Sequence, residues 1–269
     1  MSPLLILDSV THLKPEHRGC AAYCASHGGV YAATYAATLG ISALILNDAG
    51  VGRDQAGIAG LDVLARLGVP AATISYHSAR IGDGNDGFAR GILSYVNSAA
   101  KMRGLTPGLA CADALRLLAA LPLPPSPPPQ PIQESRFEIP HAGPTRIIGI
   151  DSTSLVTAAD IGAIVITGSH GGLLGNKPET AIKVAARAAV FNDAGIGIDN
   201  AGLSRLPALD ISSIAGACVS HTTARIGDAR STYEDGVISA VNATAAKLGG
   251  AVRQTCGEFV GAMVAGAGR

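Results

Sequence analysis

Ala25-Ser26-His27-Gly28-Gly29, followed by an apolar run that ends Asn47-Asp48-Ala49-Gly50-Val51-Gly52, is written a second time as Gly168-Ser169-His170-Gly171-Gly172 and Asn192-Asp193-Ala194-Gly195-Ile196-Gly197. A fixed-period repeat decides the fold before any local signal does. From Leu4 to Gly29 the second copy runs in step at an offset of 143, and from Leu46 to Gly104 at 145. Roughly 23 of about 59 positions in the second segment are identical, far above chance for a repeat. The sequence reads as a tandem duplication.

Working outward, the shared residues are Asp8 and Asp151, Asp54 and Asp199, Ser75 and Ser220, and the run Ala-Arg-Ile-Gly-Asp at 79–83 and 224–228. Cys111 and Cys256 also fall at offset 145. Gly and Asp can recur simply because turns favour them, but no turn requires Arg80/Arg225 or His27/His170. The halves differ in one telling place, where Tyr76-His77 stands against His221-Thr222.

Short apolar runs at 4–7, 19–25, 41–46 and 71–74 read as buried strands, and 30–39, 56–67 and 86–103 as helices between or after them. The second half gives strands at 145–150, 162–167, 188–191 and 215–219, with helices at 177–187, 200–209 and 232–248. Strands alternating with helices at this spacing predict a parallel sheet with helices on both faces. The expected fold is α/β: two tandem, duplicated, Rossmann-like three-layer units related by pseudo-two-fold symmetry. Their bounds are 1–108 for the first unit, 109–144 for a helix and proline-rich linker, and 145–269 for the second. Within the linker, 111–121 reads as a helix and 122–131 as a stiff polyproline spacer. A C-terminal helix is expected over 259–267.

Composition narrows the function. Twenty Lys and Arg balance twenty Asp and Glu, so no overall field draws nucleic acid or an anionic membrane. The N-terminus lacks a basic region and its apolar run ends at Asp8, which excludes a signal peptide and points to the cytoplasm. Five cysteines without paired metal spacing read as free thiols in a reducing compartment.

Each repeated polar motif falls just after a predicted strand, where open parallel sheets bind ligands. His27 and His170 are candidates for general acid or base, because imidazole titrates near neutral pH and a neighbouring Asp48 or Asp193 fixes its tautomer. Ser26, Ser169 and His221 join them as catalytic candidates, with Ser75/Ser220 and Cys111/Cys256 as further nucleophiles. Gly28, Gly29, Gly171 and Gly172 lead towards helices, whose free N–H groups favour an anion. Arg80 and Arg225 offer a planar grip on a carboxylate or phosphate, and Asp83, Asp228 and Asn192 complete the candidate binding set. No phosphate-binding loop with its Lys and no Gly-x-Gly-x-x-Gly fingerprint is present, so neither a nucleotide nor any other cofactor is expected. No helical His-Glu-x-x-His spacing is present, and no metal is assigned.

An apolar strand ending Ser-His-Gly, then another ending Asp-Ala-x, resembles the layout of caspase-like cysteine peptidases, in which the His follows one strand and the Cys the next. Gly50 and Gly195 stand where that layout puts the nucleophile. The resemblance therefore implies strand-loop-helix architecture over about 30 residues per half and carries no peptidase activity. The expected function is a hydrolase, or a related lyase, acting on a small carboxylate- or amide-containing metabolite at the carboxyl ends of the strands, in a chain able to form homo-oligomers. The alternative is a non-catalytic small-anion-binding or assembly protein.

Overall fold

Along the strand Ala21–His27 the even residues Ala22 and Cys24 join one buried apolar cluster, while Ala21, Tyr23 and Ala25 join another. Successive side chains of a strand point to opposite faces, so both faces of this strand are covered and its near-continuous apolar run is explained. The computed structural model describes residues 4–119, 122 and 128–266. These form two compact units. The first comprises Met1–Val51, Gln55–Gln133 and Gly197–Asp199; the second comprises Gly52–Asp54, Glu134–Ile196 and Asn200–Arg269.

In the first unit, β1 (Leu5–Leu7), β2 (Ala21–His27), β3 (Ala43–Asn47) and β4 (Ala71–Ile74) lie side by side in chain order and parallel, with β5 (Leu93–Val96) antiparallel at the edge. Helices α1 (Val30–Thr38) and α2 (Gly60–Arg66) pack on one face; α3 (Gly84–Arg90) and α5 (Cys111–Leu118) pack on the other, and α4 (Ser98–Lys101) follows β5. Asn97 accepts from the Ala100 N–H at the start of α4, donates to Val69 O and accepts from Ala71 N–H, tying the helix to the start of β4.

The second unit carries a six-stranded sheet in the order β11-β10-β9-β8-β7-β6. Here β7 (Ile147–Ile150), β8 (Ile164–His170), β9 (Ala188–Asn192) and β10 (Ala215–Val219) are parallel, while β6 (Arg136–Glu138) and β11 (Ile238–Val241) are antiparallel edges. Helix α6 (Arg205–Ile211) packs on one face and α9 (Cys256–Ala265) on the other, joined by α7 (Ala229–Glu234), while α8 (Ala243–Lys247) follows β11. Asn242 makes the same set of bonds as Asn97, accepting from Ala245 and Gly216 N–H and donating to Ile214 O. The architecture is α/β with two mostly parallel sheets.

Three sequence expectations are corrected. The helices read at 86–103 and 232–248 are each a short helix, an antiparallel strand and a second short helix. Gly91 and Gly236 end the first helix in each case, and Ile92-Leu93-Ser94-Tyr95-Val96 and Val237-Ile238-Ser239-Ala240-Val241 then carry the β-branched alternation of an edge strand. The sheets are therefore not wholly parallel. The helix read at 177–187 contains only a single 3-10 turn, Pro178–Thr180, because Gly175 and Asn176 turn the chain left-handed just before it. In the stretch read as a helix and linker at 109–144, α5 stands at the expected helix, and 136–138 adds an unexpected edge strand, β6, paired with β7. The proline tract, at 123–127, and the end of the C-terminal helix, at Ala267, lie outside the described residues. Among the described residues no helix is long and apolar enough to cross a membrane.

Candidate functional site

Three neighbouring strands of the second unit end side by side, and each delivers one of the predicted residues. His170 is the last residue of β8 and pairs in register with Asn192, the last of β9; Asp193 follows, and Ser220-His221 follow β10. Parallel order alone brings these three ends to one edge. Asp193, 2% exposed, is a hub. Its Oδ1 accepts from Gly195 N–H at 3.0 Å, His221 N–H at 2.9 Å and the His221 ring at Nδ1, also 2.9 Å. Burial pushes this carboxyl up, but the hydrogen bonds from the His221 ring and backbone and from Ser239 outweigh it and leave Asp193 below its ordinary value. An ionised carboxylate on Nδ1 fixes the neutral ring with its proton there and its lone pair on Nε2. The His221 side chain keeps 22% of its surface exposed, so water reaches the ring.

His170 Nδ1 accepts the N–H of Gly172 at 3.2 Å, which leaves Nε2 as the nitrogen that carries the ring's proton.

The first unit carries the same scaffold without the imidazole. Asp48 Oδ1 accepts from Gly50 N–H at 3.2 Å and Tyr76 N–H at 2.9 Å, but the residue at the His221 position is Tyr76, whose ring lies tilted by 33° against His77 with centroids 3.9 Å apart. Burial here wins, and Asp48 sits above its ordinary value. His27 Nδ1 accepts from Gly29 N–H at 3.2 Å, and burial lowers its pKa to about 4, so the ring is neutral at pH 7.

The remaining predicted residues are occupied in place. Ser26 Oγ accepts from Val10 N–H at 2.9 Å and Ser169 Oγ from Thr153 N–H at 3.0 Å, fastening the chain that leaves β1 and β7. Asp8 and Asp151 accept from Gly84 and Ala229 N–H at the starts of α3 and α7. Asp83 and Asp228 cap the same helices. Asn192 is spent on Ala194 N–H and Ala224 O. Arg225 donates twice to Asp228 Oδ2, at 3.1 and 3.0 Å, and once to Asp54 at 3.1 Å. Arg80 pairs with Asp199 at 2.9 Å and with Asp86 at 3.6 Å. Cys111 and Cys256 are buried in the core, and burial pushes both thiols up to about 12.

The glycines serve close packing. A Cβ on Gly28 would meet Gly57 O at 2.6 Å, and one on Gly171 would meet Gly202 O at 2.3 Å. Gly29 does lead into α1 as its N-cap, whereas no α-helix follows Gly172. What replaces that helix was not anticipated from sequence. Arg205, 2% exposed and aligned with Gly60, donates to Gly172 O and to Thr180 and Ala181 O at 2.9, 2.6 and 2.5 Å, with its guanidinium 5.1 Å from the centre of the Phe191 ring. A cavity of about 260 Å³ beside this segment, lined by Ala181, Val184, Leu209 and Ile214 among others, lies at the amino ends of β9 and β10, away from Asp193 and His221.

The loop carrying Asp193 is also strained. Ala194, Gly195, Ile196 and Gly197 all have positive φ, as do Ala49, Gly50, Val51 and Gly52 in the other loop. Four successive left-handed residues, two of them bearing side chains, persist only where the surroundings impose them. Among the described residues no group of three or more His, Cys, Asp or Glu side chains is placed to hold a metal ion. No family model, curated protein or solved structure matches the chain.

Proposed function

We propose that the chain is a hydrolase acting on a small carboxylate- or amide-containing metabolite, with His221 as general base and Asp193 as the carboxylate that orients it. The observation that carries this reading is the 2.9 Å contact between a buried Asp193 carboxylate and Nδ1 of a ring that water reaches. In the step this geometry supports, His221 Nε2 takes a proton from water as the water oxygen bonds to the substrate carbonyl carbon. When the carbon–nitrogen or carbon–oxygen bond breaks, the same nitrogen returns the proton to the leaving group. The Ser26 and Ser169 hydroxyls are held by backbone N–H groups, Ser75 and Ser220 Oγ accept from His77 and Thr222 N–H, and Cys111 and Cys256 are buried thiols, so activated water is the nucleophile in this reading.

The sequence repeat and the matching polar bonds of Asp8/Asp151 and Asn97/Asn242 support the further proposal that the chain arose by duplication of a Rossmann-like unit, with only the second unit retaining the dyad. A binding or assembly role is the second reading, favoured by the ion pairs that occupy Arg80 and Arg225. A panel of small amides, esters and lactams, assayed with wild type, His221→Ala and Asp193→Asn, decides between them. Loss of the base should lower turnover by about 10²- to 10⁴-fold with the melting transition retained. Turnover unaffected by either substitution, or ligand retention without turnover across the panel, refutes the hydrolase.

A further inference from the structure

We infer that Arg53 is a positioning residue for His221, an inference that rests on the Asp193–His221 reading. The tripeptide Gly52–Asp54 belongs to the second unit. There the Arg53 N–H donates to His221 O at 2.7 Å, and Arg53 Nη1 donates to Thr223 O at 2.6 Å while pairing with Asp235 at 3.2 Å. Gly52, at φ +70°, lies so close that a Cβ there would stand 3.1 Å from His221 O. Asp193 thus holds residue 221 by its amide and its ring, and Arg53 holds it by its carbonyl and, two residues on, by Thr223.

The first unit supplies the contrast. There Ile198 N–H donates to Tyr76 O at 2.9 Å, the same backbone clamp, but Ile198 has no guanidinium to reach the loop beyond it. The side-chain grip accompanies the histidine and is absent where Tyr76 replaces it. A ring held only at Nδ1 pivots with its backbone, so fixing the backbone on its other side is what keeps Nε2 aimed in one direction. Gly52 and Asp54, on either side of Arg53, both have positive φ.

The test reads the ring itself. Imidazole ¹⁵N spectra of the full chain are compared for wild type, Arg53→Met, Arg53→Lys and Asp193→Asn, beside thermal melts. Arg53→Met keeps the aliphatic stem and removes every side-chain donor; Arg53→Lys restores one. The expected result is a single Nδ1–H form of His221 in wild type and Arg53→Lys. In Arg53→Met a mixture of tautomers should appear, the His221 amide should exchange about tenfold faster or more, and the melt should stay close to wild type. If Asp193→Asn changes the tautomer and Arg53→Met does not, the positioning role is wrong while the dyad stands. If neither changes it, the dyad itself falls and the inference with it. Failure of both Arg53 variants to fold assigns the residue to the scaffold and overturns the proposal.

Discussion

Gly60 and Arg205 occupy the same place in the sequence repeat and do opposite things. In the first unit a Cβ on Gly60 would meet Gly29 O at 2.5 Å and the Ala33 methyl at 2.6 Å, so the absent side chain is what lets α1 lie against α2. In the second unit α1 has no counterpart, and Arg205 fills the space by holding three carbonyls of the irregular segment that runs there instead. A helix satisfies its own backbone; a buried irregular segment has to be satisfied by something else. Arg205 supplies the missing donors, and the Gly172 carbonyl it holds belongs to the residue whose N–H fixes His170. The aligned pair Gly60 and Arg205 thus marks the place where one unit carries a helix and the other a pinned loop beside the candidate site.

The largest expected effect breaks this contrast. Arg205→Ala strands three carbonyls and leaves a void, which together should cost about 3 to 5 kcal/mol. Burial lowers the Arg205 pKa only to about 10, so the guanidinium is charged at neutral pH and Arg205→Lys, lacking the fork, should recover only part of the loss. Denaturant titration of both variants measures it. A loss below 1 kcal/mol for Arg205→Ala, on the scale of an ordinary surface substitution, would mean that the segment holds itself.

The second prediction concerns acid. His27 has a folded pKa of about 4 against an ordinary 6.5. The unfolded chain therefore takes up a proton that the folded chain refuses, and stability falls as pH drops from about 6.5 to about 4, by on the order of 3 kcal/mol. His27→Asn should flatten that slope. Melting temperatures across this window check it, and an unchanged slope in the variant would place the acid sensitivity elsewhere.

How far the sequence reached follows from the same residues. The repeat and the apolar runs located the eight parallel strands among the described residues, because a strand buried on both faces is written as an uninterrupted apolar run. Topology then placed His170, Asp193 and His221 at one edge. Strands β5 and β11 were hidden, since four-residue edge strands behind a short helix look like its continuation until Gly91 or Gly236 is read as a stop. Arg205 was legible only as a difference: a charged residue facing a glycine in an otherwise aligned repeat. Arg53 was not legible, because its partners Thr223 and Asp235 are far away in sequence and its own φ/ψ neighbours adopt a conformation that side chains seldom take.

The third prediction sharpens the comparison between the two aspartates. Asp193 lies below its ordinary pKa, so its charge contributes stability that is present above that ordinary value and lost as pH falls through the lowered one. Asp48 is raised, so its contribution has the opposite sign and is lost as pH rises through the raised value. At pH 7 Asp193→Asn should cost about 1.5 to 3 kcal/mol, the scale of hydrogen bonds to a charged group. Asp48→Asn keeps an acceptor for Gly50 and Tyr76 and loses no bond to an imidazole, so it should cost about 1 kcal/mol or less, the scale of an ordinary neutral hydrogen bond. Equal costs at pH 7 would show that His221 adds nothing to its aspartate.

The smallest expected effect tests what the two arginines do. Arg225 directs both Nε and Nη2 at one oxygen of Asp228 and Nη1 at Asp54, and its side chain is 39% exposed. Arg80 is equally exposed and divides itself between Asp199 at 2.9 Å and more distant Asp86 and Asp83 at 3.6 and 4.0 Å. Exposed pairs of this kind contribute about 0 to 1 kcal/mol, so as braces Arg225→Lys and Arg80→Lys should each shift the melt only slightly, with Arg225 the larger because its double donation depends on the planar group. A bound anion would have to draw Arg225 away from two carboxylates, which makes the bracing role the one its geometry favours. Were either arginine to grip a substrate carboxylate all the same, its Lys variant would lose about 1.5 to 3 kcal/mol of binding, the scale of a charge-assisted contact. Calorimetry with the acid product of whichever compound proves to be turned over distinguishes the two. Unchanged affinity in both variants leaves the arginines as braces, and a loss confined to Arg225 would give the second unit a carboxylate grip to go with its dyad.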